Sequence, residues 1–187
     1  MATAYGGVDG DDGDDGPIDP LQIFQILGRV GQGNYGYVYK ARDTRDESLV
    51  AIKIIEVDST YSSSTKELEA EISTLAKCHS KYIVSYRGTF ARRNQIWIVM
   101  EYCLAGSVSD LMAITDRILN ESQIAAILCM SLQGLAYFHS LNHLHRDIKA
   151  GNILINHDGI VKLSDLSVQA QSYDTRLESN WITASPR

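Results

Sequence analysis

The chain has 187 residues, 44% of them hydrophobic and 21% charged, which is enough apolar surface for the packed core of one ordinary domain. Its net charge of −6 is concentrated, because Asp9, Asp11, Asp12, Asp14 and Asp15 lie in the stretch DGDDGDDG and the remainder is close to neutral. A near-neutral body with no basic run longer than Arg92-Arg93 argues against nucleic acid as a partner, and no apolar run approaches the roughly 18 residues of a membrane span.

Residues 1–20, rich in Gly and Asp and closing on Pro17 and Pro20, are too polar to offset the entropy of ordering and are expected to form a disordered tail. From there IFQILGRVG, GYVYKAR and SLVAIKIIEV read as three successive antiparallel strands. SSTKELEAEISTLAKC follows as an amphipathic helix: Ser64 and Glu67 fit a capping box, and Leu68, Ile72 and Leu75 recur at helical spacing. YIVSYRGTF and QIWIVMEYC restore the strand pattern, so the first hundred residues form a five-stranded α+β lobe with one helix.

Beyond it the pattern becomes helical. A short helix is expected over SVSDLMAI, and a long one over Glu121 to Ser140, opened by Asn120 with Gln123 three residues on. Ile124, Ile127, Leu128, Leu132 and Leu135 give the long helix a stripe expected to be buried. NILIN and IVKLS then read as short strands around the turn His157-Asp158-Gly159. Cys78, Cys103 and Cys129 lie apart in apolar segments and read as buried thiols of a reducing compartment. The absence of a signal-peptide pattern points the same way, to a cytoplasmic location without integral membrane association.

GQGNYGYV sets Gly31, Gly33 and Gly36 between two strands, where residues without side chains let backbone N–H groups approach phosphates and Val38 can cover a flat base. A dinucleotide turn would need a helix directly after the glycines, and strand follows instead. Lys53, in VAIK, reads either as a sheet-edge lysine whose ammonium reaches water or as a fixed positive charge facing phosphates. On the helix, Glu71 lies roughly 65° from the centre of the apolar stripe, nearer than Glu67 or Glu69, and is the best carboxylate partner for it. In HLHRDIKAGN, Asp147 can accept a hydroxyl proton, Lys149 can neutralise a transferring phosphoryl group, and Asn152 can hold a metal through its amide oxygen.

With these motifs in this order, from about Phe24 to Pro186, the chain resembles a eukaryotic protein kinase catalytic domain. HRDIKAGNIL and IWIVMEYCLAGSVSDLM resemble the sterile-twenty group of Ser/Thr kinases, in particular its germinal-centre and Hippo-type branch. The resemblance implies a protein-kinase-like fold: N-lobe and hinge over residues 21–103, with a five-stranded antiparallel sheet and a C-helix, and over residues 104–187 only the first part of a mostly helical C-lobe.

It also implies roles. The strand-turn-strand of Val30, Gly31, Gln32, Gly33, Asn34, Tyr35, Gly36, Tyr37 and Val38 would cover ATP. Lys53 would hold the α- and β-phosphates and pair with Glu71, and Ala51 and Leu154 would contact the nucleotide. Met100 would be the gatekeeper, with Glu101 to Cys103 offering hinge backbone to adenine. Asp147 would be the catalytic base, Lys149 the γ-phosphate contact, and Asn152 and Asp165 the Mg²⁺ ligands. Serine and threonine side chains of proteins would be the substrates, with kinase or scaffold proteins as further partners.

Three departures bear on activity. Leu166 and Ser167 stand where the family has Phe and Gly: the first loses packing worth on the order of 1 kcal/mol, and the second, carrying a Cβ, biases the loop toward one state or strains it by roughly 1–2 kcal/mol. Trp181 falls where the activating threonine usually sits, with Thr175, Ser179 and Thr183 as substitutes. The sequence stops at Arg187, ahead of the Ala-Pro-Glu element and the helices after it, so the stripe on the long helix is expected to lack much of its cover. A Ser/Thr kinase in an incomplete chain is the expected function, and a non-catalytic pseudokinase or regulatory isoform that binds nucleotide or partners is the alternative.

Overall fold

The computed structural model describes residues 18–33, 36–57 and 72–165. Asp19 accepts a hydrogen bond from the Leu21 N–H and caps a single helical turn, α1 (Pro20–Ile23), with Pro at the first position where its missing N–H costs nothing. This corrects the expectation of disorder through residue 20, since Pro20 and Ile23 are buried and Asp19 also binds Arg92 at 2.9 Å. Residues 1–17 lie outside the described residues.

The strands β1 (Phe24–Gly33), β2 (Gly36–Asp43), β3 (Leu49–Glu56), β4 (Tyr86–Arg92) and β5 (Gln95–Glu101) form one antiparallel sheet in the order β1-β2-β3-β5-β4. Alternation along β3 divides the sheet into two faces, because cross-strand partners project to the same side. Val50 and Ile52 join Ala41, Trp97, Val99, Ile23 and Phe24 in an outer cluster closed by α1. Ile55 and Ile98 belong to an inner cluster with Ile72, Leu75, Cys78, Ile83 and Phe138. Lys53 stands opposite Val38 on one side and Ile98 on the other, which puts it on the inner face.

Residues 72–77 are helical (α2), and Ile72 and Leu75 are buried as the apolar spacing requires. Ser64, Glu67, Leu68 and Glu71 lie outside the described residues. Strand β4 starts later than its apolar run: the first part, around Ile83, instead pairs in parallel with Leu163. After β5 come α3 (Val108–Thr115) and α4 (Glu121–Ser140), each opened by a complete capping box, Ser107 with Asp110 and Asn120 with Gln123. A 3₁₀ turn (Ala150–Asn152) leads into the hairpin of β6 (Ile153–Ile155) and β7 (Val161–Leu163), whose turn uses Gly159 at φ 75°.

The stripe on α4 is covered only in part, as expected: Ile127 and Leu135 pack against the cluster of Val108, Ile153, Val161 and Leu163. Ile124, Leu128 and Leu132 are 42%, 51% and 61% exposed, and the buried residues are Ser131, Gly134 and Phe138. The reason is close approach: a Cβ on Gly134 would lie 2.7 Å from the Tyr82 carbonyl oxygen, so α4 seats its small residues against that backbone and β7. Cys129, expected to be buried, is exposed on the same helix, while Cys78 and Cys103 are buried.

Candidate active site

The loop between α4 and β6 is organised by one buried histidine. The His145 side chain lies within 3.0 Å (Nε2) of the Ser164 carbonyl oxygen, and its Nδ1 faces the Asp147 N–H at 3.4 Å. Bonded this way the ring is neutral, with its proton on Nε2, and burial lowers its pKa in accord with that. Arg146, between them, takes a left-handed backbone at φ 63°.

Asp147 is held from two sides. Lys149 Nζ donates to Oδ2 at 2.8 Å, and Asn152 Nδ2 donates both to Oδ2 at 2.9 Å and to the Asp147 carbonyl at 2.8 Å. The Lys149 bond, then the Asn152 bond working against partial desolvation, keeps this carboxyl below the usual range, so it is ionised at neutral pH. Both donors use Oδ2. Among the described residues Oδ1 accepts no hydrogen bond, which leaves it available as an acceptor.

The Asn152 backbone carries the second half of the site. Its carbonyl accepts the Ser164 N–H at 2.9 Å and the Ser164 hydroxyl at 3.2 Å, so β7 ends against the loop at a fixed point. Asp165 follows at φ 56°, a left-handed conformation that Asp tolerates better than most residues. Its Oδ1 accepts from Lys53 Nζ at 2.9 Å, with the two side chains 22% and 7% exposed. This overturns the sheet-edge reading of Lys53: β3 is central in the sheet, and the ammonium is directed across to the other lobe instead of to water.

Metal-binding capacity follows from the donor set. Asn152 spends its Nδ2 on Asp147, which leaves the amide oxygen as a donor atom, and Asp165 keeps Oδ2. Among the described residues no group of three His, Cys, Asp or Glu side chains could form a protein-only metal cage. One carboxylate and one amide oxygen suit Mg²⁺, which keeps several waters and takes phosphate oxygens as further ligands.

The other candidates fall along the sheet. Val38 and Ala51 lie on the face that carries Lys53, and Met100 is the cross-strand partner of Ala51 and packs on the inner cluster. Val30 and Tyr37 are exposed on β1 and β2, with the Arg29 guanidinium 5.0 Å above the Tyr37 ring. Gly36 has no room for a side chain, since a Cβ would meet the Ile54 carbonyl. Cys103 is buried and its thiol is pushed up to about 12 by that burial, and Leu154 on β6 bridges to Ser107. Glu71, Asn34 and Tyr35 lie outside the described residues, as do Leu166 and Ser167.

The protein kinase domain family matches residues 24–185. The chain belongs to this family. The curated relatives of this kinase domain include serine/threonine-protein kinase 4 homolog A of Dictyostelium discoideum, 48% identical over 84% of the chain and 33% of that protein. They also include serine/threonine-protein kinase cst-1 of Caenorhabditis elegans, 45% identical over 85% of the chain and 31% of the relative. Serine/threonine-protein kinase hippo of Drosophila melanogaster is 44% identical over 84% of the chain and 23% of the relative. Within the family the chain thus groups with the sterile-twenty, Hippo-like kinases, and it spans a third or less of the length of these proteins. Among the described residues no helix is long and apolar enough to cross a membrane.

Three positions that organise this kinase site escaped the motif reading. Ser164 is invisible because its role is a backbone and hydroxyl contact to Asn152. Gly134 is masked by the apolar residues around it. Lys162 had a faint signal, a lysine between Val161 and Leu163 in a short strand, and its side chain is only 7% exposed against Glu101.

Proposed function

We propose that the chain transfers the γ-phosphoryl group of ATP to a serine or threonine hydroxyl of a protein. The observation that carries this reading is Asp147, an ionised carboxylate whose Oδ2 is fixed by Lys149 and Asn152 while Oδ1 stays open. A substrate hydroxyl placed at Oδ1 would lose its proton to that oxygen as its own oxygen attacks the γ-phosphorus, and the bond to the β–γ bridging oxygen breaks to release ADP. A depressed pKa makes Asp147 a weak base, which suits an acceptor that orients the hydroxyl and takes the proton late.

In this reading Lys149 neutralises charge on the moving phosphoryl group, and Lys53 holds the α- and β-phosphates with Glu71 as its helix partner. The glycine-rich turn from Val30 to Val38 covers the phosphates. Ala51, Met100, Leu154 and the hinge backbone at Glu101 and Cys103 hold adenine. Asn152 and Asp165 would hold Mg²⁺, which supplies neutralisation of phosphate charge. Proteins with accessible Ser or Thr are the substrates, other kinases or scaffold proteins the further partners, and the cytoplasm the compartment. A second reading, a relative that binds nucleotide or partners without transfer, is favoured by Leu166 and Ser167 in place of Phe and Gly.

Incubating the chain with γ-labelled Mg-ATP and a generic protein substrate separates the two. Label on Ser and Thr that disappears in Asp147→Asn supports transfer. Binding of Mg-ATP with no label transferred supports the second reading, and no binding at all refutes transfer and leaves of the second reading only its partner-binding form.

A further inference from the structure

The β6–β7 hairpin is held on one edge by the segment between α2 and β4 and on the other by the segment that leaves the hinge. On the β7 edge, Leu163 N–H donates to the Tyr82 carbonyl at 2.8 Å and Val84 N–H to the Leu163 carbonyl at 2.9 Å. On the β6 edge, Ala105 N–H donates to the Ile155 carbonyl at 3.1 Å and Ile155 N–H to the Gly106 carbonyl at 3.0 Å. The hairpin is therefore the piece through which the sheet, the hinge and the catalytic loop meet.

At its centre sits an ion pair that no step of the chemistry uses. Lys162 Nζ lies 2.9 Å from Glu101 Oε2, and the two side chains are only 7% and 16% exposed. Glu101 ends β5, and it is also tied to Ser85 twice: its Oε2 accepts the Ser85 N–H at 3.2 Å, and its own N–H donates to the Ser85 carbonyl at 2.9 Å. A buried ion pair adds little net stability, because desolvation offsets most of the attraction, but it tolerates few geometries, since either charge left alone is costly. Its position supplies the consequence. Glu101 stands two residues before Cys103, at the adenine end of the site, and Lys162 three residues before Asp165, at the phosphate end.

We propose that Glu101 and Lys162 are positioning residues for nucleotide: their ion pair locks the hinge to the strand that carries Asp165, so the two ends of the site are set at one spacing before nucleotide arrives. The proposal rests on the kinase reading above for its ligand. It deepens that reading by assigning a role to two side chains that touch neither phosphate nor metal.

The test uses the full chain with Glu101→Gln, Lys162→Met and the double variant. Glu101→Gln keeps the volume and an oxygen for the Ser85 bond but leaves Lys162 without its counter-charge, whereas the double variant leaves no unpaired buried charge and is expected to remain folded; circular dichroism and melting establish the folded state of each variant. Mg-ATP affinity is measured by titration on folded protein, and amide exchange is followed at residues 105–107 and 163–165 with residues 39–42 as control. Each single change is expected to weaken Mg-ATP binding about tenfold, and the double variant no more than the worse single one, the signature of one coupled unit. Exchange should rise at 105–107 and 163–165 and stay unchanged at 39–42.

Lower melting temperatures with unchanged affinity and unchanged exchange would reduce the pair to a stabilising contact and overturn the proposal. So would tighter binding or faster turnover in the variants, which would make the pair a restraint. Failure of the unaltered chain to bind Mg-ATP would sink the kinase reading instead. The exchange arm would then decide the lock alone, coupled loosening supporting it and none overturning it.

Discussion

Replacing Gly134 with alanine sets two physical effects against each other, and the structure says which one wins. On helix propensity alone, Gly to Ala inside α4 should stabilise the protein by about 1 kcal/mol. The added methyl, however, would lie 2.7 Å from the Tyr82 carbonyl oxygen and 3.2 Å from both Leu163 Cδ1 and Tyr82 Cβ. The Leu163 end can rotate, but the Tyr82 oxygen is backbone and already accepts the Leu163 N–H at 2.8 Å, so α4 must retreat or that bond must stretch.

Overpacking of this kind costs about 1–3 kcal/mol, and a weakened backbone bond adds about 1 kcal/mol more. The net effect is a destabilisation of about 1–3 kcal/mol, which for a chain of this size is a fall in melting temperature on the order of 2–12 °C. Differential scanning calorimetry of Gly134→Ala against the unaltered chain measures it. A melting temperature that stays the same or rises would mean that α4 does not press on Tyr82 as described, and the account of why Ser131, Gly134 and Phe138 form its buried face would fall with it.

Further outcomes follow from the site and the caps. Lys149→Met removes the largest influence that holds Asp147 low, so its carboxyl rises, and if the chain carries the proposed transfer activity the acid limb of its pH–rate profile moves to higher pH. Since the folded state binds the Asp147 proton more weakly than the unfolded chain, its contribution to stability is present at neutral pH and lost as pH falls through the lowered value, so Asp147→Asn should flatten the acid side of the melting curve. Thiol titration at neutral pH should find Cys129 reacting first, with Cys103, whose pKa burial raises to about 12, reacting only on unfolding. Asn120→Ala, which removes one half of the α4 capping box, should cost about 1 kcal/mol in chemical denaturation.

The parts of this fold that are legible in the sequence are those whose causes are local. The five strands follow from alternation and turn residues, α4 from Asn120 and Gln123, and the β6–β7 turn from Gly159, because each depends on residues a few positions apart. What escaped depends on contacts across the chain. Lys53 meets Asp165 over a separation of 112 residues, and nothing in VAIK alone distinguishes that from a lysine reaching water. The buried face of α4 was legible only in part for a related reason: Ile127 and Leu135 pack as their hydrophobicity requires, whereas close backbone approach selects small residues, and Ser131 and Gly134 carry little hydrophobic signal.

The pinning of Ser164 bears on how far the altered Leu166-Ser167 pair can reach into the site. Ser164 is fixed by three bonds, its N–H and hydroxyl to the Asn152 carbonyl and its own carbonyl to His145, and both partners belong to the loop between α4 and β6. Asp165 is then held at its other end by Lys53. The Asp165 carboxylate, proposed above to hold Mg²⁺, is thus located by residues that precede Leu166 in the chain or lie in the sheet, and none of these bonds involves a group at 166 or beyond. Restoring Phe and Gly at 166 and 167 should therefore leave Mg-ATP affinity within about twofold while changing the transfer rate. An affinity gain of tenfold or more, measured in the same titration, would show that the loop after Asp165 governs where the carboxylate sits.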